Sequence, residues 1–185
     1  MYPDLYLMRH GQTVWNAEGR MQGKLDSPLT DLGIAQAQAQ ARLIAGVVAR
    51  RFASPQGRAQ QTARIVFAGE PFETDARLAE IDIGDFSGRR YPDLAAQHPG
   101  LFAHGGYGWY DHAPGGEGFS GLMARCRAFL DGLDGPALIV THGITLRMLR
   151  MIAMGWDMPR FHELSQHQGA VQIIRAGRHE IWRAA

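Results

Sequence analysis

The chain has 185 residues, 45% hydrophobic and 20% charged, with 19 basic and 18 acidic residues giving +1, which suggests one domain over residues 1–185 with a core that needs no staples. The balanced charge, without a basic tract or stripe, argues against nucleic acid, and no apolar stretch is long enough to cross a membrane. The single cysteine, Cys126, excludes an internal disulfide, and Met1 leads straight into the first strand with no room for a signal peptide, so the expected compartment is the cytoplasm.

The first predicted strand is Leu5-Tyr6-Leu7-Met8, an apolar run that stops at Arg9-His10-Gly11. A loop with Gly19, Gly23 and Pro28 follows, and Thr30 then caps a helix from about Asp31 to Ala45. Ala35 to Ala41 alternates Ala and Gln with a strand's period. Ala and Gln are good helix formers, however, the run is long for a strand, and Leu32, Ala35, Ala39 and Leu43 share a helical face. Val47–Ala53 reads as the next strand, closed by Ser54-Pro55, with a helix from about Arg58 to Phe67 and a short edge strand near Phe72–Asp75. Ile83–Gly118 is rich in Gly and Pro and reads as mostly irregular, with a short helix near Asp93. A helix over about Phe119–Leu130 carries Cys126 as a core thiol. The strand Ala137–Val140 leads into a helix with Ile144, Met148, Met151 and Ile152 on one side. Two strands, Ala170–Ile174 and Glu180–Trp182, turn at Gly177. Alternating strands and helices imply an α/β fold, a three-layer sandwich with a mostly parallel sheet and an antiparallel C-terminal edge.

The chemistry gathers where strands end. Ala137–Val140 ends in Thr141-His142-Gly143, so two apolar runs each stop at His-Gly. Ligands of open parallel sheets bind at the carboxyl ends of strands, and neighbouring strands would bring His10 and His142 over one pocket. Phosphoryl transfer needs a nucleophile, fixed positive donors for the equatorial oxygens and a proton for the leaving oxygen. His10 suits the first need, because an imidazole is substantially neutral at physiological pH. Arg9 and Arg58 suit the second as planar cations, with His142 as a third donor and the amides after Gly143 as a fourth positive feature. Gly11 is read as letting backbone approach the ligand. The bland alternative for Arg58, a solvated arginine at a helix N-terminus, is disfavoured by the helix dipole. Glu80, Asp82 and Asp85 are equal candidates for the acid by spacing alone, and in an extended segment Glu80 and Asp82 face the same way.

These residues resemble the histidine phosphatase superfamily, in its phosphoglycerate mutase-like branch. The resemblance rests on Leu7–Asn16, Gly19–Gly23, Asp26–Thr30, Ser54–Ala63, Leu78–Gly84 and Val140–Gly143, in family order. It implies a phosphohistidine on His10, a phosphate pocket of Arg9, Arg58 and His142, and Glu80 as proton donor. It also implies Asn16, Gln22 and Gly23 as substrate contacts, no metal and no cofactor, and a small-molecule phosphomonoester as partner. Two positions depart from the family. Gly118 stands where a serine is common, which removes a polar contact, and Gly57 replaces a bulkier residue, which implies a looser turn. The family's mutases carry longer segments after the acid motif. This chain is short there, which favours a phosphomonoester hydrolase over a phosphoglycerate mutase, and the intact set of site residues argues against a non-catalytic phosphate-binding module.

Two further segments draw notice. His162-Glu163-Leu164-Ser165-Gln166-His167 lacks the His-Glu-x-x-His spacing that puts two zinc ligands one helical turn apart. His104–His112 reads as a flap with aromatic anchors that selects the leaving group.

Overall fold

Leu5 and Leu7 pack into one apolar cluster and Tyr6 and Met8 into another, so strand β1 (Leu5–Arg9) is buried on both faces. That explains why its sequence is a continuous apolar run and not an alternating one. The structure, a computed structural model, describes residues 1–103 and 106–184. Beside β1 lie β2 (Arg50–Ala53), β3 (Glu73–Thr74), β4 (Ala137–Thr141), β5 (Val171–Arg175) and β6 (Arg178–Trp182). Their order is β3-β2-β4-β1-β5-β6. The pairs β3·β2, β2·β4 and β4·β1 are parallel, and β1·β5 and β5·β6 antiparallel.

On one face, α2 (Asp31–Leu43) and α3 (Gly57–Val66) bring Ala37, Ala59 and Ala63 against Tyr6, Met8 and Val140. Small side chains there let both helices lie close to the sheet. On the other face, α6 (Gly118–Asp131) and α7 (Gly143–Ala153) bury Leu122, Phe129, Leu146 and Leu149 over Leu5, Leu7 and Ile139. Burying each such side chain contributes about 1.5–3 kcal/mol, and together they build the three layers expected. Cys126 lies fully buried in this second cluster, and burial pushes its thiol up to about 12. Among the described residues no helix is long and apolar enough to cross a membrane.

Three expectations are corrected. β2 starts at Arg50, not Val47, because its partner β4 starts at Ala137 and leaves Val47–Ala49 nothing to pair with; Val48 is 94% exposed. Residues 83–118 are more helical than their Gly and Pro content implied. Within them the short helices α4 (Tyr91–Gln97) and α5 (Pro99–Phe102) join 3-10 turns at Gly84–Phe86 and Gly108–His112, while a further short helix, α1 (Val14–Ala17), follows β1. Here Phe86, Phe102 and Trp109 pack on one another and supply an apolar centre that local propensity does not reveal. Finally, α7 is buried on every side from Gly143 to Ile152, arginines included, and Arg150 spends its guanidinium on Gln172 Oε1 at 2.9 Å, His179 Nε2 and the Ser165 carbonyl.

Candidate active site

The parallel register of β1 with β4 runs from Leu5 opposite Ala137 to Arg9 opposite Thr141, so the two His-Gly turns leave the sheet side by side. The His10 and His142 rings stand 5.1 Å apart, both almost wholly buried. His10 stays on the sheet through its N–H, which donates to Thr141 O at 2.9 Å. Its Nδ1 lies 2.7 Å from Gly11 O. A carbonyl can only accept, so the ring hydrogen sits on Nδ1 and Nε2 presents a lone pair. Arg58 Nε donates to that Nε2 at 3.3 Å. Burial, then Arg58 and Arg9, hold the His10 pKa well below 6.5, and the ring stays neutral at physiological pH.

Arg58 is 1% exposed near the start of α3, and its fork is aimed by three acceptors. Nη1 donates to Leu25 O at 2.7 Å and Asp26 Oδ1 at 3.1 Å, and Nη2 to Gly23 O at 3.0 Å. Asp26 also accepts from the Arg58 backbone N–H, capping the helix. This corrects the looser turn expected at Gly57. A Cβ there would lie 2.2 Å from Asp26 Oδ2, so the glycine makes room for the carboxylate that orients Arg58. Gly11 is corrected as well. Its missing Cβ accommodates the Gly33 carbonyl of α2, at 2.2 Å, and not a ligand.

Glu80 hangs over the N-terminus of α7. Its carboxylate accepts from Ile144 N at 3.2 Å, Thr145 N at 3.1 Å and Ile81 N at 3.0 Å. The amides expected to face a phosphate are therefore occupied by Glu80. Asp82 turns away from it, pairing with Lys24 at 2.7 Å, and Asp85 does not border the cleft.

Arg9, His10, Asn16, Gln22, Gly23, Arg58 and Glu80 line one cleft of about 200 Å³, and the buried His142 ring packs beside His10. Arg9 Nη1 donates to Gln166 O at 3.1 Å, and its Nε is buried without a partner among the described residues. Asn16 closes a capping box with Thr13, and Gln22 Nε2 donates to Thr13 Oγ1 at 2.9 Å, so both amides are set by α1. Sequence reading missed Ser54, whose Oγ lies 2.7 Å from His142 Nε2, and Gln168, which donates to His10 O at 3.1 Å and Asn16 Oδ1 at 3.3 Å. Ser54 stood inside a quoted motif, whereas nothing in the pattern around Gln168 marked it. Of the flap, His104 and Gly105 lie outside the described residues; Tyr107 and Tyr110 form part of the cleft wall. Beside Gly118, where the family commonly has a serine, one of the first amides of α6 is served by Asp111, which accepts from Phe119 N at 2.6 Å.

A neutral histidine whose Nε2 lone pair faces the buried Arg58, with Arg9 on the same cleft and a held carboxylate beside it, is a site for phosphoryl transfer. Comparison with known proteins agrees. The profile of the histidine phosphatase superfamily (branch 1) matches residues 5–184, and the chain belongs to that superfamily. A probable phosphoglycerate mutase GpmB of Yersinia pestis is 36% identical over 162 residues, covering 82% of this chain and 74% of its own. The crystal structure of a putative alpha-ribazole-5'-P phosphatase from Escherichia coli K-12 superposes with a TM-score of 0.82 at 28% identity, over 99% of this chain and 96% of that one. A mycobacterial glucosyl-3-phosphoglycerate phosphatase does so with 0.84 at 26% identity, over 99% and 100%.

Proposed function

We propose that the protein hydrolyses small phosphomonoesters in two steps, without a metal, through a phosphohistidine on His10. The observation that carries this reading is the His10 ring itself, with hydrogen on Nδ1 toward Gly11 O and lone pair on Nε2 toward Arg58. In the first step Nε2 attacks phosphorus and the P–O bond to the alcohol breaks. Arg9, Arg58 and His142 donate to the equatorial oxygens, and the leaving oxygen takes a proton from Glu80. A preorganised donor of this kind contributes about 3–4 kcal/mol to the transition state. In the second step water attacks phosphorus, the P–Nε2 bond breaks, and Glu80 takes the water's proton. Thr145 Oγ1 lies 2.7 Å from Ala79 O and 3.0 Å from Glu80 Oε1. Its one hydrogen serves only one of them at a time, and the hydroxyl steadies the carboxylate beside the cleft. Asn16, Gln22 and Gly23 border the substrate. The cleft supports hydrolysis over transfer to a second alcohol, because it opens to solvent and the chain has no long segment after Glu80 to enclose a sugar acid.

Phosphate release from a panel of phosphomonoesters in excess EDTA tests this. Release that EDTA spares and His10→Ala abolishes is expected. Transfer of the phosphoryl group to phosphoglycerate without release would favour the mutase reading that the Yersinia relative's name suggests.

A further inference from the structure

His142 is fully buried, and its two ring nitrogens differ: Nε2 meets Ser54 Oγ at 2.7 Å, and Nδ1 has no partner among the described residues. Burial and the neighbouring Arg58, His10 and Arg9 keep the ring neutral, so it holds one hydrogen. Where that hydrogen sits follows from counting. Ser54 is also fully buried, and its Oγ has two partners, His142 Nε2 and the Gln56 N–H that donates to it at 3.3 Å. Pro55, between them, has no N–H to offer.

Two arrangements are available. If His142 donates from Nε2, Ser54 Oγ accepts twice, its own O–H is left without an acceptor, and Nδ1 is a buried lone pair without a donor. Two polar groups are then unsatisfied. If Ser54 donates to Nε2, its oxygen is satisfied on both sides and only one group remains, an Nδ1–H waiting for an acceptor. A buried polar group left unmatched is costly, so the arrangement with fewer of them wins. The turn is itself braced. Gln60 Nε2 donates to Ser54 O at 2.6 Å, and the Gln56 side chain accepts from Glu80 N and donates to Gly23 O, both at 2.7 Å.

We propose that Ser54 is a positioning residue, whose hydroxyl donates to His142 Nε2 and keeps the ring hydrogen on Nδ1 as a donor to the transferring phosphoryl group. This deepens the proposed function and rests on it. His10 and His142 are then set in the same tautomer by different means, a carbonyl at Nδ1 in one and a hydroxyl at Nε2 in the other. The first presents a lone pair and the second a hydrogen. A group that fixes a catalytic imidazole's tautomer matters to rate even when it never touches substrate.

Long-range ¹⁵N–¹H spectra of the free enzyme report which nitrogen of His142 carries hydrogen, and need no substrate. The wild-type spectrum is expected to show Nδ1–H. Ser54→Ala is expected to mix the tautomers and lower kcat about tenfold with a smaller change in KM, and Ser54→Thr to recover both. An Nε2–H in the wild type overturns the proposal even if Ser54→Ala does not fold, as does a folded Ser54→Ala with unchanged tautomer and kcat. Loss of the phosphatase reading would instead show as absent turnover beside an unaltered wild-type spectrum.

Discussion

At the scale of single residues, the site depends on the groups that hold Arg58 in place. Arg58 can face His10 only because Leu25 O, Gly23 O and Asp26 hold its fork, and Asp26 is there only because residue 57 has no side chain. Gly57→Ala is therefore expected to push Asp26 off the α3 N-terminus. The lost cap costs about 1 kcal/mol of stability, and the loosened Arg58 lowers kcat/KM by about tenfold or more. Denaturant unfolding and steady-state kinetics on the same preparation check both, and unchanged kinetics would mean that Asp26 does not aim Arg58. The sequence marked Gly57 as unusual but gave the opposite expectation, because the spacing shows a missing side chain and not the carboxylate that fills its place.

At the scale of elements, legibility followed the density of local signal. The two apolar runs ending in His-Gly, the Thr30 cap and the Ala- and Gln-rich helix are each encoded within a few residues, and each element appears where it was expected. The boundary of β2 was not legible, since a strand ends where its partner does, and that partner lies some 85 residues away in the chain. The short helices of 83–118 were hidden likewise, because aromatic packing among Phe86, Phe102 and Trp109 decides them and propensity does not. In the site, the spacing left Glu80, Asp82 and Asp85 equivalent. The chain leaves Glu80 on α7 and sends Asp82 to Lys24 because this segment is irregular and not an extended strand.

At the scale of the whole molecule, the proposed catalytic cluster holds two uncharged, buried histidines, and that couples stability to pH. His10 and His142 have folded pKa values well below 6.5, each chiefly through burial. Above pH 6.5 both states of the protein hold these rings neutral and the groups add no pH dependence. Below it the unfolded chain takes up protons that the folded one refuses, so stability falls with falling pH. At about 1.4 kcal/mol per group per pH unit, the loss between roughly pH 7.5 and 5.5 is about 3 kcal/mol. Denaturant midpoints across that range check it, and a flat profile would mean that the rings gain charge in the folded state. The same neutrality leaves Nε2 of His10 ready to form a bond to phosphorus, which is the central claim.

That bond is open to direct observation. Enzyme mixed with ³²P-labelled phosphomonoester, quenched in alkali within the first turnover and digested, is expected to carry the label on the peptide containing His10, as phosphohistidine, and to shed it as inorganic phosphate when the chase runs on. Turnover without labelled His10, or label on another residue, would contradict the account.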